Sequence, residues 1–307
     1  MASSRSPEPS VVALYGPTAT GKTAVAEALL ARLDAEVVSA DSAALYAGLP
    51  VLTAAPAYPA RLVGVVPLSE DVSVGSYQQL AHTAIDDIVA AGRTAVVVGG
   101  TGLYLRAALS ALELPPPPAD GARERWEREY DTLGGDAAHE LLAERDPNAA
   151  ARVHPNDRRR VVRALELAES GHSLAPPADR LWADDTRHPT LLVALDTELD
   201  ELDRRIDVRT KAMAAAGAAD EARTAWAQEL STTARNVLGL EAFATLPEEE
   251  AVAEVAQATR RLARYQRKWL RRLPAAATLA SSPSPEETAD AIVALGRAGE
   301  RLSGRRG

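Results

Sequence analysis

A stretch of nine residues, YGPTATGKT from Tyr15 to Thr23, contains the residue types that bind phosphate. It follows the apolar run VVAL and fills the pattern G-x-x-x-x-G-K-S/T with Gly16, Gly21, Lys22 and Thr23. Glycines let backbone N–H groups converge on phosphate oxygens, Lys22 neutralises charge, and the Thr23 hydroxyl can hold magnesium. The stretch therefore predicts a P-loop that binds a phosphorylated ligand.

Two polar residues, Asp41 in SADS and Thr101 in GGTGLY, directly follow apolar runs that we interpret as strands. Ligands of open α/β sheets bind at the carboxyl ends of the strands, so both residues are expected near the P-loop. A carboxylate there could hold a metal or position water in a nucleotide hydrolase, and it could accept a proton in a transferase. A turn or helix-cap role remains open for both residues.

Two clusters of basic residues contrast with a net charge of -9: NDRRRVVR from Asn156 to Arg163, and the segment from Thr259 to Arg272. The second cluster has seven cationic and no acidic side chains, and Tyr265 and Trp269 lie among them. The overall charge argues weakly against a nucleic-acid partner, but a local cationic face suits RNA phosphates and aromatic rings suit stacking. A solvated helix surface is the alternative for both clusters.

The elements that must position these residues are short β-branched runs separated by helical patterns. The runs are SVVALY, EVVSA, RLVGVV, TAVVVGG and TLLVALD. Helical spacing of apolar residues from Thr23 to Arg32 and from Tyr77 to Ala91 gives the alternation of a doubly wound sheet. We therefore predict an α/β fold in which a P-loop parallel sheet is flanked by helices, with a helical insertion domain and a helical C-terminal region.

The domain organisation follows from changes in composition. The prolines from Pro115 to Pro118 open a charged, strandless segment, after which the last apolar run restores the sheet pattern. We predict a P-loop core in residues 11–114 and 189–274, which includes C-terminal helices, and a helical insertion in residues 115–188. The polar residues 1–10 are expected to be a disordered leader, and the Ser/Pro/Gly-rich residues 275–307 a mobile tail.

Composition also excludes several kinds of site. The absence of cysteine excludes disulfides and thiolate metal sites, and the five histidines show no spacing typical of metal ligands. No apolar run reaches the roughly 18 residues of a membrane span, and none follows the polar start as a signal peptide would require. We expect a cytoplasmic protein without a membrane partner.

Several motifs together resemble those of the bacterial tRNA dimethylallyltransferases, also called tRNA isopentenyltransferases. They are GPTATGKT, SADS with Tyr46 after it, GGTGLY, RDPNAAARVHPNDRRRVVRALE and ARYQRKWLR. The resemblance extends from about Val11 to Leu273, and PNDRRR with the following RALE is its most specific part. Members of this family transfer a dimethylallyl group from its diphosphate to the exocyclic amine of the adenine 3′-adjacent to the tRNA anticodon. The resemblance implies Mg2+ as the cofactor, dimethylallyl diphosphate and the tRNA anticodon stem-loop as partners, and no ATP hydrolysis.

The resemblance implies roles for matching residues. Asp41 would be the general base, Lys22 would stabilise the leaving diphosphate, Thr101 would lie close to the reacting groups, and Thr23 would contact the metal. The positions that match the diphosphate site are Gly16, Pro17, Thr18, Ala19, Thr20, Gly21, Lys22, Thr23 and Arg209. The positions that match tRNA contacts are Asp41, Ser42, Ala43, Ala44, Thr101, Arg123, Asn156, Asp157, Arg159, Arg160, Arg163, Arg264, Gln266 and Trp269. Residues 115–188 would bind the anticodon stem, and we expect a monomer.

The chain departs from the family pattern around the acceptor site. Ala44 stands where the family usually has Gln, Ala47 where it has Arg, and Ala55 where T-A-K-P has Lys. A pair of histidines expected soon afterwards is missing, the segment from Leu49 to Val63 is short, and Leu240 replaces a Tyr. The diphosphate loop and the base are intact, so the resemblance implies altered contacts to the acceptor near Ala44.

Three other functions remain open from the sequence alone. A small-molecule kinase would use the same P-loop with ATP, although an arginine-rich lid cannot be identified. An adenylate isopentenyltransferase would modify free nucleotides, and it would have little use for a large helical insertion. A non-catalytic RNA-binding protein would keep the basic clusters but would not need Asp41 and Thr101 beside a P-loop.

Overall fold

The structure is a computed structural model that describes residues 9–117, 119–175, 181, 183–275, 277–282 and 284–298. Its strands form one parallel sheet in the order β3-β2-β4-β1-β5-β6. They are β1 (Val11–Tyr15), β2 (Ala35–Ser39), β3 (Ala60–Arg61), β4 (Thr94–Gly99), β5 (Thr190–Asp196) and β6 (Ala277–Ala280). The predicted parallel sheet is confirmed, whereas residues 1–8 of the predicted leader lie outside the described residues.

Helices cover both faces of the sheet and build the insertion. Those before the insertion are α1 (Lys22–Leu30), α2 (Val74–Ala90) and α3 (Gly102–Leu109). Those within it are α4 (Ala122–Leu133), α5 (Gly135–Arg145), α6 (Pro147–Ala150) and α7 (Arg158–Glu169). Those after it are α8 (Leu199–Ala215), α9 (Ala218–Trp226), α10 (Thr232–Arg235), α11 (Leu240–Thr245), α12 (Glu248–Leu270) and α13 (Pro285–Ala298). None of the helices in the described part of the chain is long and apolar enough to cross a bilayer.

The packing of β1 and α1 places the P-loop, which we define as residues 16–23. β1 is buried along its whole length, and its Val12 and Leu14 pack in one cluster with Val25 and Leu29 of α1. These two elements lie on either side of the P-loop, so their packing sets the distance between its ends. β1 lies between β4 and β5, which puts the loop in the middle of the carboxyl edge of the sheet.

The predicted strand RLVGVV is much shorter in the structure. β3 ends at Arg61, the first residue of this run, because Leu62 and Gly64 take left-handed backbone conformations with φ of 63° and 64°. Val66 then forms an isolated parallel bridge with Tyr46. The β-branched residues of this run therefore pack in a loop, and their composition alone could not reveal the turns between them.

The chain divides into two compact units, of which Leu112–Arg180 is the smaller. Helices α4 to α7 belong to it and enclose a separate apolar core that includes Trp126 and Val161. We predicted an insertion from residue 115 to residue 188. The compact unit begins slightly earlier, and residues 183–188 belong with the sheet instead.

The prediction of a mobile tail is wrong for residues 277–282 and 284–298. β6 extends the sheet by pairing with β5, and α13 packs Ala289 and Ile292 into the core cluster of α1. The prediction rested on the Ser and Pro residues that connect this strand to this helix. Its order comes from contacts with elements far away in the sequence, which composition does not report.

We expect Ile292→Ala to lower the free energy of unfolding by about 2 to 5 kcal/mol, because the side chain is fully buried in the α1 cluster. Urea unfolding would measure the change. Glu287→Ala, at an exposed position of the same helix, should change the free energy by less than about 0.5 kcal/mol. Negligible effects of both substitutions would mean that α13 does not contribute to the core.

Candidate active site

A cavity of about 120 Å3 lies at the carboxyl edge of the sheet, where the P-loop meets the loops that follow β2 and β4. Its wall includes the charged residues Lys22, Asp41 and Arg209 and the apolar residues Val37 and Val98. The charged residues come from α1, the loop after β2, and α8. The fold therefore gathers in one place side chains that are up to 187 positions apart, from Lys22 to Arg209.

Lys22 is the first residue of α1, and its ammonium is turned back onto the P-loop. Nζ donates hydrogen bonds to the carbonyl oxygens of Gly16 and Pro17 over 2.8 and 2.7 Å. Burial and then the charge of Arg209 lower the pKa of Lys22 to about 7, while Asp41 opposes the shift. An anion in the cavity would favour the ammonium again, because an opposite charge raises the pKa of a lysine.

Arg209 reaches the same cavity from α8. Its Nη1 donates a hydrogen bond to Thr18 Oγ1 over 2.7 Å, so the guanidinium is held against the P-loop. Burial lowers the pKa of Arg209, and the charge of Asp41 opposes the change. Lys22 and Arg209 thus form a cationic pair at the wall of the cavity, which is the arrangement that a diphosphate requires.

Asp41 begins a turn that carries Ser42, Ala43 and Ala44. Its Oδ1 accepts a hydrogen bond from the backbone N of Ala43 over 2.9 Å, and this bond orients the carboxylate. Asp41 and the buried Ala44 both line the cavity. Ala44 contributes only a methyl group, so this position can make no side-chain hydrogen bond to an acceptor base.

Thr101 is the N-cap residue of α3, but its side chain makes no capping hydrogen bond. It directly follows Gly99 and Gly100, which line the cavity. The structure therefore places the Thr101 backbone next to the cavity wall, in the position that the strand pattern predicted. Its hydroxyl is not committed to the helix end.

The glycines of GGTGLY leave room for α12. A Cβ at Gly100 would lie 2.6 Å from Nε2 of Gln266, and one at Gly102 would lie 2.1 Å from a ring carbon of Trp269. Gln266 is only 4% exposed, and its Oε1 accepts a hydrogen bond from the backbone N of Thr18 over 2.8 Å. The resemblance implied tRNA contacts for Gln266 and Trp269, whereas the structure packs them against the P-loop and α3.

The cations between Arg260 and Arg271, on α12 and at its C-cap, fall into two groups. Three form ion pairs: Arg260 with Asp207, Arg264 with Asp203 over 2.7 Å, and Arg267 with Asp196 over 2.9 Å. Arg261, Lys268 and Arg271 are exposed and have no ion pair with any described residue. Tyr265 lies among them and is 56% exposed. We call Arg261, Tyr265, Lys268 and Arg271 the basic stripe.

The first basic cluster begins α7. Asp157 is the N-cap residue, and its side chain accepts a hydrogen bond from the backbone N of Arg160 over 3.2 Å. Asn156, Arg159 and Arg160 are exposed, and neither arginine has an ion pair within the described ranges. These side chains are therefore available to a ligand.

Arg163, the last residue of that cluster, and Arg123 of α4 share one acidic partner. Both donate to the carboxylate of Glu166, over 2.9 Å in each case. The Glu166 side chain is fully buried, and a buried carboxylate is costly without such partners. The two arginines, predicted to contact tRNA, thus stabilise the core of the insertion.

Two residues beside the P-loop were missed at the level of sequence. Tyr58 lines the cavity and donates from its hydroxyl to the backbone oxygen of Thr23 over 3.2 Å. Burial raises the pKa of Tyr58 to about 12, so the hydroxyl stays protonated as a donor. Ser281 donates to the backbone oxygen of Thr20 over 2.9 Å. No motif contains either residue, so only the tertiary structure identifies them.

The oxygen atoms of the cavity fit a magnesium ion that is held partly by its ligand. Thr23 and Asp41 line the cavity and offer hydroxyl and carboxylate oxygens, which this cation prefers. Among the described residues, no three His, Cys, Asp or Glu side chains come together as a metal site. The fit is therefore to an ion that takes further ligands from phosphate and water.

A model of the IPP transferase family matches residues 44–273 of this chain. The tRNA dimethylallyltransferase of Salinispora tropica is 41% identical over 287 residues, which cover 89% of this chain and 89% of that protein. The tRNA dimethylallyltransferase of Streptomyces coelicolor is 40% identical over 286 residues, covering 89% of this chain and 90% of the relative. These matches confirm the predicted resemblance.

Two solved structures are similar in fold. One is the full-length tRNA isopentenylpyrophosphate transferase from Bacillus halodurans, with a TM-score of 0.66, 29% identity, and coverage of 94% of this chain and 97% of that chain. The other is a eukaryotic dimethylallyltransferase acting on tRNA, with a TM-score of 0.74 and coverage of 96% and 82%. The second is 21% identical and therefore supports the fold alone. The predicted fold class is confirmed.

We expect diphosphate binding to weaken as the pH rises above about 7, because the pKa of free Lys22 is lowered to about 7 and an anion raises it in the complex. Between those two pKa values the complex holds one more proton than the free protein, so affinity should fall by up to about tenfold per pH unit. Below both values Lys22 is charged in either state and contributes no pH dependence.

Isothermal titration calorimetry with inorganic diphosphate at pH 7, 8 and 9 would measure this effect. Lys22→Arg is the matched control. Arginine stays charged over this pH range, so the affinity of the variant should change only through the titration of the ligand itself. Parallel pH profiles of the wild type and Lys22→Arg would contradict the assignment.

Proposed function

Because the chain belongs to the IPP transferase family of tRNA dimethylallyltransferases, we propose how its site performs the transfer. The donor is dimethylallyl diphosphate, and the acceptor is the exocyclic amine of the adenine 3′-adjacent to the anticodon. One observation carries the proposal: Lys22 and Arg209 share a single cavity with the carboxylate of Asp41. A diphosphate site and a proton acceptor thus lie side by side. A single chain supplies Lys22, Arg209 and Asp41, and we propose that the protein is a monomer.

The cavity has separate places for the two ends of the donor. Lys22, Arg209 and the backbone of the P-loop bind the diphosphate through charge and hydrogen bonds. Val37, Val63 and Val98 provide the apolar part of the wall, where the dimethylallyl group is removed from water. An allylic diphosphate has the same division into a polar and an apolar end.

The reaction breaks the bond between the allylic carbon and the bridging oxygen, and the electron pair stays on the diphosphate. Lys22 and Arg209 stabilise the negative charge that develops there, which is effective in a poorly hydrated cavity. The carbon–nitrogen bond forms with the exocyclic amine, whose proton passes to the carboxylate of Asp41. Thr101 directly follows Gly99 and Gly100 of the cavity wall, and its hydroxyl would orient the amine or the bridging oxygen.

Thr23 and Asp41 are the residues that would hold a magnesium ion together with the diphosphate. A bound divalent cation supplies further neutralisation of the leaving group. Asp41 keeps a second role as proton acceptor, since its turn already orients the carboxylate through the bond from the Ala43 backbone.

The basic stripe of α12 and the exposed start of α7 supply cations for the phosphate backbone of tRNA. Unpaired arginines and lysines bind phosphates without reading sequence, and an exposed tyrosine can stack on a base. The target base must leave its stack to reach the cavity, as in other proteins that act on a base. Arg159 and Arg160 hold the same kind of free charge within the insertion.

Transfer itself tests the proposal most directly. Purified protein, dimethylallyl diphosphate, magnesium and bulk tRNA should yield an adenosine that carries one dimethylallyl group, which nucleoside mass analysis would detect. Free adenosine monophosphate should be a negligible substrate. Consumption of ATP coupled to product, or equal modification of the free nucleotide, would overturn the assignment.

We expect Asp41→Asn to lower the single-turnover rate by about two to four decades, the usual cost of a lost general base. Binding of dimethylallyl diphosphate in the absence of magnesium should not weaken, because Lys22, Arg209 and the P-loop backbone hold the diphosphate directly. Asp34→Asn, at the opposite end of β2, makes the same change away from the cavity and should retain the wild-type rate. A wild-type rate in Asp41→Asn would leave this carboxylate a structural role only.

We expect tRNA affinity to fall steeply with salt, because the basic stripe would displace counterions from the phosphate backbone. Arg261→Ala and Arg271→Ala should each lower the slope of log affinity against log salt by about one unit, and neither should alter donor binding. Arg93→Ala is the control, since Arg93 precedes β4 at the amino edge of the sheet. Slopes that stay equal in all variants would show that α12 does not lie on RNA.

A further inference from the structure

Two side chains from outside the P-loop hold it through hydrogen bonds to its backbone. Oε1 of Gln266 accepts a hydrogen bond from the backbone N of Thr18 over 2.8 Å. Oγ of Ser281 donates to the backbone oxygen of Thr20 over 2.9 Å. The two bonds hold the backbone of Thr18 and Thr20, the residues on either side of Ala19.

Ala19 is the residue of the loop that most needs such support. Its φ is 65°, in the left-handed region, where a side chain with a Cβ costs about 1 to 2 kcal/mol. A free loop would relax to a negative φ, and the flanking peptide groups would then turn away from their present directions. Lys22 and Arg209 both bond to atoms of this loop, at Pro17 and Thr18, so that relaxation would disturb the cationic pair.

Both supporting side chains are themselves held in place. The backbone oxygen of Gln266 accepts from the hydroxyl of Tyr15 over 2.7 Å, which ties α12 to the end of β1. The Ser281 backbone N donates to the carbonyl oxygen of Asp196 over 2.7 Å. Arg205 Nη1 donates to the Ser281 hydroxyl over 2.7 Å. These anchors give the two side chains the rigidity that a positioning role requires.

We infer that Gln266 and Ser281 are positioning residues that keep the P-loop in the conformation that binds the diphosphate. The inference rests on the proposed function only in naming the donor. It gives Gln266 a role at the donor site in place of a contact with tRNA. It also gives the C-terminal segment after residue 273, where the family match ends, a part in the active site.

Diphosphate affinity is the property that the two residues should control. Gln266→Met keeps the length of the side chain and removes the acceptor, and Ser281→Ala removes the hydroxyl. Each should raise the Kd of inorganic diphosphate and of dimethylallyl diphosphate by about tenfold, because a peptide group of the loop loses its partner. The single-turnover rate at saturating donor should stay within about twofold of the wild type, so the loss appears in KM.

Matched controls separate positioning from general damage. Gln257→Met changes an exposed glutamine of the same helix, and Ser282→Ala changes a neighbouring serine whose hydroxyl accepts a hydrogen bond from the Ser284 backbone. Both should bind diphosphate as the wild type does. Ser281→Thr retains the hydroxyl and should restore affinity, and tRNA affinity should be unchanged in Gln266→Met and Ser281→Ala.

A double-mutant cycle with Ala19→Gly tests the role of the left-handed residue. Glycine takes a positive φ at no steric cost, so Gln266→Met should raise the Kd by less than about threefold in that background. Equal losses in both backgrounds would overturn the explanation through Ala19.

Two results would overturn the inference as a whole. One is an unchanged diphosphate Kd in both Gln266→Met and Ser281→Ala. The other is a loss that affects tRNA binding in Gln266→Met and spares the diphosphate. If the wild type bound inorganic diphosphate but not dimethylallyl diphosphate, the proposed donor would be wrong, and the inorganic arm would still test the positioning role.

Discussion

Lys22 and Arg209 are two cations in one small cavity, and the rest of the site must offset their mutual repulsion. Burial and the neighbouring guanidinium lower the pKa of Lys22 to about 7, so the cost of holding the charge is visible in the lysine itself. P-loop carbonyls accept hydrogen bonds from the ammonium, the Thr18 hydroxyl accepts one from the guanidinium, and Asp41 adds an opposite charge. A diphosphate can replace these partners of Lys22 and Arg209, and both cations are already oriented before it binds.

Helix α12 links the diphosphate site to the surface that we propose to bind tRNA. Its buried face carries Gln266 against the P-loop, and its exposed face carries the basic stripe. Between the two faces, Arg260, Arg264 and Arg267 pair with acidic residues of α8 and β5. Part of the positive charge of the helix is thus used inside the protein, which reconciles a basic helix with a net charge of -9.

The C-terminal segment shows how much of a loop's geometry is set from a distance. Ser281 lies more than 250 positions after Thr20, yet its hydroxyl bonds to the backbone of that residue. The contact exists because β6 pairs with β5, the neighbour of β1, and α13 packs on α1. A Ser/Pro-rich connection can therefore be ordered when the strand and the helix on either side of it meet an existing core.

The amino-acid sequence by itself determined the strands β1, β2, β4 and β5, the P-loop and the positions of Asp41 and Thr101. These features follow from local patterns, since β-branched runs form buried strands and a glycine-rich turn between a strand and a helix binds phosphate. Only the tertiary structure decided what holds Arg209 against the P-loop, which cations of the second basic cluster stay unpaired, and that residues 277–282 and 284–298 are ordered. Those outcomes depend on which partner lies opposite each side chain, and such partners are brought together by packing across long stretches of sequence. Arg205 and Arg209 illustrate the difference: they occupy the same helix one turn apart, but one meets Glu201 and Ser281 while the other meets the P-loop.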